Sequence, residues 1–400
     1  MILSPPPVDP VVPAQHRATH RQRANRASVL ALVAEAYGGH GGIAQSTRDL
    51  LEALRVLPRV GAVHCLPRHV RANAEPPAGI TQGPPCASRW AFSRRALRTA
   101  LADSPDLVYC GHAFMAPLAW LIARMQGARL VVHLHGLELW EPLGPSVKAA
   151  LASADRLLCV SRHTVEMAVQ RCGVDPARCA VVYNTFHTRF FPALDGHYQR
   201  AARQRLDLAP EARVLSTVSR LDPRQRHKGH DRVIPRLGVL AKQHPGLVYL
   251  IAGTGGDEAR LRTLVQETDA EDIVRFLGSV PAEDLPDVYR ASDLFVMPSH
   301  GEGFGIAFLE AMACGTPALG LDVGGAGDAL CDGTLGRAVR EADFPAALGD
   351  ALNGAMPMRG VPLALRTRAH FGASMFRARV AEAITPLLSS PVQARKASKT

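Results

Sequence analysis

Two glutamates eight positions apart, Glu302 and Glu310, bracket a glycine-broken turn in the run Ser-His-Gly-Glu-Gly-Phe-Gly-Ile-Ala-Phe-Leu-Glu-Ala-Met-Ala-Cys-Gly at residues 299–315. The apolar run before it, 293–297, reads as a buried strand ended by Pro298, and 306–314 reads as a helix closed by Gly315. That order puts Glu302 at the mouth of a sheet and Glu310 on the helix behind it. Glycines there let main-chain N–H groups approach a ligand closely, and a helix N-terminus favours an anion. A loop carboxylate can meet sugar hydroxyls, while one on the helix can accept two hydrogen bonds from a ribose diol. Two solvated glutamates on a strand–helix joint are the plainer alternative. It is disfavoured because ligands collect at the carboxyl ends of strands in such sheets.

The complementary cations lie upstream. Ser-Arg-Leu-Asp-Pro-Arg-Gln-Arg-His-Lys-Gly, 219–229, follows a strand-like run and precedes a helix starting near His230. Arg220 and Lys228 stand at opposite ends of this loop and Gly229 permits the turn. Two fixed cations beside a helix N-terminus suit a diphosphate, whereas a solvated basic loop is the bland reading. Arg224, Arg226 and His227 read as surface. Gly-Thr-Gly-Gly at 253–256 lacks the full phosphate-loop spacing and reads as a tight strand–helix turn, with Asp257 capping the next helix.

Tyr-Gly-Gly-His-Gly-Gly-Ile at 37–43 follows a strand and opens a helix. Its glycines, Gly41 and Gly42 among them, imply close approach to a ligand from across a cleft, or a mobile loop. His-Leu-His-Gly-Leu-Glu-Leu-Trp, 133–140, ends another strand, and alternation puts His133 and His135 on one side of it. His135 is placed to meet a substrate hydroxyl, and Glu138 to orient either ring. A two-histidine metal site would lack a third ligand. No Asp-x-Asp triplet, Gly-x-Ser-x-Gly elbow or complete P-loop occurs, so neither metal nor cofactor is indicated. Residues 88–98 read as a basic helix with aromatics, either packed with a basic outer face or lying against an anionic membrane.

The elements that must position these groups follow one pattern. Strand-like runs at 28–34, 60–65, 106–110, 129–133, 156–160 and 179–183 are separated by helical stretches, with a proline-rich loop at 76–85. Residues 188–212 suit a connector. The alternation restarts at 213–218, 247–252, 273–277, 293–297 and 317–321. The reading is α/β, with two doubly wound parallel-sheet domains, 28–187 and 213–371, facing across a cleft. An amphipathic helix at 372–388 follows, between a basic tail at 1–27 and a loose tail at 389–400.

Composition narrows the partners. An apolar content of 47% with 20% charged residues belongs to a chain that buries full cores, and no apolar stretch reaches the roughly 20 residues of a membrane span. The start does not read as a signal peptide. Eight cysteines without a Cys-x-x-Cys pair fit a reduced, cytoplasmic chain. The net charge of +10 points to an anionic partner, but aromatics at 5% and dispersed basic residues disfavour nucleic acid.

These residues together resemble the retaining glycosyltransferases of family 4, of GT-B fold, over about 28–388. The resemblance rests on the Glu302-to-Glu310 spacing with its Gly-Phe-Gly-Ile core, on Ser-Arg-Leu at 219–221 with Lys228-Gly229, on Gly41-Gly42, on His135, and on Asn184. The chain has Gly136 after His135 and Thr185 after Asn184, where the family pattern has aspartate and glycine. The resemblance implies that Glu310 holds the nucleotide ribose, and that Glu302, Gly303, Phe304, Gly305 and Ile306 hold the donor sugar. It implies that Arg220 and Lys228 stabilise the departing diphosphate, that Gly41, Gly42, His135 and Asn184 lie on the acceptor side, and that the final helix crosses back to the first domain. The expected activity is transfer of a hexose, GDP-mannose being the favoured donor, to a lipid-linked or growing glycan at the inner membrane face, in envelope or exopolysaccharide assembly. Its rivals are a nucleotide-sugar epimerase or phosphorylase of the same fold, and a catalytically silent nucleotide-sugar-binding assembly protein.

Overall fold

A computed structural model of the chain describes residues 26–191 and 197–388. Nearly all of the basic stretch 1–27, the tail 389–400 and part of the connector lie outside the described residues.

The first half holds a parallel sheet of seven strands: β1 (Ala27–Val33), β2 (Val60–Pro67), β3 (Ile80–Gln82), β4 (Leu107–Cys110), β5 (Arg129–Leu134), β6 (Arg156–Cys159) and β7 (Cys179–Val181), in the order β3-β2-β1-β4-β5-β6-β7. The second has six: β8 (Arg213–Val218), β9 (Leu247–Ala252), β10 (Val274–Gly278), β11 (Leu294–Met297), β12 (Ala318–Leu321) and β13 (Arg337–Val339), in the order β10-β9-β8-β11-β12-β13. Every pairing is parallel. Central strands such as Leu-Val-Tyr-Cys in β4 and Leu-Phe-Val-Met in β11 are buried throughout, because helices cover both faces and leave no solvent side to alternate with. The two-domain doubly wound reading is thus the observed architecture.

Two strands escaped the sequence reading. β3 forms inside the proline-rich interval read as loop, where Ile80 pairs with Val63 of β2. β13 is a three-residue edge strand of half-buried residues with too little apolar signal to register.

In the first sheet, Gly42–Arg55 and Ala373–Ile384 pack on one face, and Arg89–Asp103, Ala116–Gln126, Pro145–Ala152 and Arg162–Cys172 on the other. Ala373–Ile384, the last α-helix, thus buries Phe376, Val380 and Ile384 in the core of the first half, about 2 kcal/mol for each side chain. The helix Tyr198–Arg205 lies in the stretch read as connector and packs on Leu285–Ala291 of the second half. Arg203 there donates to Asp293 at 2.8 Å and anchors the entry into β11.

In each sheet the strand order reverses at one place, between β1 and β4 and between β8 and β11. Crevices open at the carboxyl ends of such switch points. Arg220 and Lys228 follow β8, and Glu302 follows β11, its neighbour in the sheet.

Candidate active site

A cavity of about 650 Å³ lies where the loops after β1, β5, β8, β9 and β11 meet. Gly41, Gly42, His135 and Asn184 line it from the first half, and Arg220, Lys228 and Glu302 from the second. Gly303, Phe304, Gly305, Ile306 and Glu310 complete the second wall. The structure brings all twelve residues named by the resemblance to this one space.

The two cation-bearing and carboxylate-bearing loops are locked together. Gly229 has φ +89°, and a Cβ there would collide with the Pro298 carbonyl, so the first loop turns directly against the second. The His300 N–H donates to the His227 carbonyl at 2.8 Å. That junction delivers the Lys228 ammonium to Glu302 Oε2 at 2.7 Å, with both side chains less than a fifth exposed. Arg220, by contrast, has no ion-pair partner among the described residues. Its guanidinium reaches toward Gly41, where an added Cβ would touch it at 3.6 Å.

Glu310 sits in the second turn of the helix Ile306–Ala313, which starts from Gly305 at φ +96° without a side-chain cap. The Tyr289 hydroxyl donates to Glu310 Oε2 at 2.7 Å. Burial pushes this carboxyl up to about 7, against the pull of the Tyr289 bond, which favours the ionised form.

On the opposite wall, His135 is buried and its Nε2 lies 3.1 Å from the Gly111 carbonyl. A carbonyl only accepts, so Nε2 carries the proton and Nδ1 is the ring's acceptor. Burial drops the His135 pKa to about 4, leaving a neutral ring. Glu138 does not orient either ring as expected: its Oε1 accepts from the main-chain N–H of His135 at 2.9 Å and fixes the strand's end. The His133 ring lies tilted against that of His135, 4.3 Å between centroids, and pairs through Nδ1 with the Tyr109 hydroxyl at 3.0 Å, which makes it a core residue. Among the described residues no group of three or more His, Cys, Asp or Glu is arranged to hold a metal ion. Asn184 accepts from Ser46 Oγ at 2.6 Å and so pins the glycine loop's helix to the chain leaving β7.

The halves also touch backbone to backbone. Gly136 has φ +90°, and a Cβ there would lie 2.9 Å from Gly303 Cα. A Cβ on Gly303 would overlap the His135 carbonyl oxygen, and one on Gly301 the Trp140 ring. The glycine after His135 is therefore required by this contact, and an aspartate would not fit it. Beside it, Arg162 pairs with Asp328 and with Asp332, the latter at 2.6 Å, and the Tyr183 hydroxyl donates to Asp328 at 3.1 Å. Tyr183 also stacks on Phe304 at 5.5 Å.

Three further sequence expectations need correction. His227 is not a surface residue: it lines the cavity and meets Trp140 edge-on at 5.6 Å. Asp257 does not cap its helix. It is buried and takes Arg226 at 2.8 Å and Arg260 at 2.6 Å, so Arg226 is engaged rather than merely solvated. Sequence reasoning also passed over Tyr289, Asp328, Arg162 and Trp140. Only Trp140 carried a signal, as a large ring four residues after Gly136 and facing a run of glycines.

Two family models match the chain: "Glycosyltransferase Family 4" over residues 40–190 and "Glycosyl transferases group 1" over 199–369. The D-inositol 3-phosphate glycosyltransferase of Actinosynnema mirum is 31% identical over 310 residues, covering 70% of this chain and 72% of that protein. The protein of that name from Salinispora tropica is 32% identical over 334 residues, covering 76% and 67%. Among solved structures, Anabaena HepE in complex with UDP and glucose superposes with a TM-score of 0.71 at 19% identity, covering 90% of this chain and all of that one. WaaG, a glycosyltransferase involved in lipopolysaccharide biosynthesis, superposes at 0.68 and 16%, covering 90% and 100%. Those two similarities concern the GT-B fold.

Proposed function

The chain belongs to the group 1 and family 4 glycosyltransferases, and from that premise we propose a retaining enzyme that moves a hexose from a nucleoside-diphosphate sugar to a lipid-linked or growing glycan acceptor. The observation that carries this reading is the convergence of Arg220, Lys228, Glu302 and Glu310 on one cavity between the two sheets. The diphosphate lies against Arg220 and Lys228, the ribose diol on Glu310, and the sugar on Glu302 with the main chain of 303–306. As the bond from the anomeric carbon to the β-phosphate oxygen breaks, positive charge grows on the sugar and negative charge on the leaving group. Lys228, paired with Glu302, stabilises the negative charge on the departing diphosphate, and the Glu302 carboxylate faces the positive charge on the sugar. The acceptor hydroxyl attacks from the face of departure, and its proton passes to the leaving diphosphate, which retains the anomeric configuration. His135 Nδ1 orients a hydroxyl as a neutral acceptor.

GDP-mannose is the first donor to test and UDP-glucose the second, with assembly of an envelope glycan or exopolysaccharide from the cytoplasmic side as the setting. The names of the curated relatives add a phosphorylated cyclitol to the acceptors worth screening. Thermal-shift measurements across a panel of nucleotide sugars are expected to show stabilisation by one donor. Incubation with that donor and an acceptor should give the anomer of the donor, read by NMR couplings. Free sugar phosphate as the product would replace this reading with phosphorolysis, and binding with no turnover on any acceptor class would replace it with a silent nucleotide-sugar-binding protein.

Donor affinity should depend on pH through Glu310. With its carboxyl at about 7, the form that accepts two ribose bonds is scarce in acid. Affinity is therefore expected to rise about tenfold from about pH 6 to about pH 8 and then level off. A nucleotide sugar's diphosphate is fully ionised throughout that range, so it adds no slope. Titration calorimetry should find the slope flattened in Glu310→Gln. An equal slope in that variant would assign the titration to another group.

A further inference from the structure

The loop that carries Arg220 and Lys228 runs from Ser219 to Gly229, and a buried histidine closes its base. Ser219 follows β8 directly and lines the cavity. His230, the first residue after the loop, is 5% exposed, and its Nε2 lies 3.0 Å from Ser219 Oγ. Its Nδ1 lies 3.2 Å from the Tyr249 hydroxyl on β9, which in turn lies 2.7 Å from Thr217 Oγ1 on β8. Thr217 Oγ1 reaches the main-chain oxygen of Val296 on β11, the strand that leads to Glu302.

The protons in this chain have a forced order. A carbonyl only accepts, so Thr217 gives its single hydroxyl proton to Val296 and accepts from Tyr249. The Tyr249 proton is then committed, and the phenol oxygen accepts from His230 Nδ1–H. Burial drops the His230 pKa to about 4, against the pull of Asp231 and Asp257, so the ring is neutral and carries that proton alone. Nε2 is therefore bare and accepts from the Ser219 hydroxyl, the opposite tautomer to that of His135. Four directed hydrogen bonds thus tie the end of β11 to the residue before Arg220. Main-chain bonds from Ser219 to Ala252 and from Leu221 to Thr254, both 3.0 Å, hold the first end of the loop. The His230 clasp joins that end to the other, where Lys228 stands two residues away.

We propose that His230 is a positioning residue, which as the Nδ1–H tautomer sets the spacing of Arg220 from Lys228 that a nucleoside diphosphate bridges. The proposal rests on the donor-site reading above. Long-range nitrogen–proton NMR correlation in the full chain should show His230 as the Nδ1–H tautomer, and the Nε2–H form would overturn it. Calorimetry then compares GDP and UDP with GMP and UMP. A monophosphate engages one cation at a time and does not feel their spacing. Whichever diphosphate the parent binds, His230→Leu is expected to bind it about tenfold more weakly, with affinity for the matching monophosphate nearly unchanged. Ser219→Ala opens the clasp from its other end and should show the same split, which keeps the test open if His230→Leu folds poorly. His230→Gln should restore parental binding, because its amide offers a donor and an acceptor about as far apart as the ring nitrogens. Arg220→Met should add little to the loss in His230→Leu, since both act on one contact. Equal losses for diphosphate and monophosphate would make His230 a merely structural residue and overturn the proposal. Parental diphosphate affinity in both His230→Leu and Ser219→Ala would overturn it too, with the transfer reading left standing. A parent that binds neither diphosphate would overturn the donor-site reading, and this proposal with it.

Discussion

Lys228→Met is expected to lower kcat/KM by about a thousandfold, the scale of losing a charged group that acts in the transition state. Two effects are entangled in that variant. Lys228 and Glu302 form a 2.7 Å ion pair with little exposure of either side chain, so removing the ammonium leaves a carboxylate without its counter-charge. Breaking such a pair costs about 3 kcal/mol of stability. A purely structural lysine would therefore also reduce activity, through loss of folded protein. The double variant Lys228→Met/Glu302→Gln separates the two. Its neutral amide tolerates the missing ammonium, so urea denaturation should show stability largely restored, while kcat/KM stays at or below that of the single variant. Recovery of transfer together with stability would mean that Lys228 only holds the loop and takes no part in the reaction.

What the chain reveals before folding, and what it hides, divides along the range of the interactions. The parallel sheets were legible because each inner strand is a short apolar run between helical stretches, a local pattern. The positions lining the cavity were legible for a related reason: they stand directly after strands, where the doubly wound topology forces loops to one edge. Glu302 and Lys228 needed only their place after β11 and β8. β3 and β13 were missed because Ile-Thr-Gln and Arg-Ala-Val carry almost no apolar run and exist as strands by pairing with a neighbour, whereas the equally short β7 continues into an apolar run through Val182. Tyr289 could not be matched to Glu310, nor Arg162 to Asp328, from spacing, because 21 and 166 residues separate the partners. Glu138 was misread because its partner is a main-chain N–H, invisible in side-chain chemistry. His227 was misread because the ring that covers it, Trp140, comes from the other half of the chain.

A second long-range contact, Gly303 against the His135 carbonyl, yields the second large effect: Gly303→Ala is expected to cost at least about a hundredfold in kcat/KM while leaving each half folded. A Cβ at 303 would overlap the main-chain oxygen of His135, which no rotamer change can move aside. The two loops must then separate, and a displacement of about 1 Å between reacting groups costs about two orders of magnitude in rate. The separation would carry His135 away from Glu302 and Lys228 and widen the gap between the halves. Stability should fall little, because the new methyl lies between the halves and in the core of neither. Gly238→Ala is the control, since an added Cβ there meets nothing within 4 Å. That position lies in the helix Leu237–Gln243, where alanine is the better helix former, so the control should be neutral or slightly stabilising. Small-angle scattering of the two variants, beside their rates, decides the matter. A more extended Gly303→Ala chain with impaired transfer supports closure of the halves as a condition of activity, and parental rates in that variant would show that the reaction proceeds without the contact between Gly136 and Gly303.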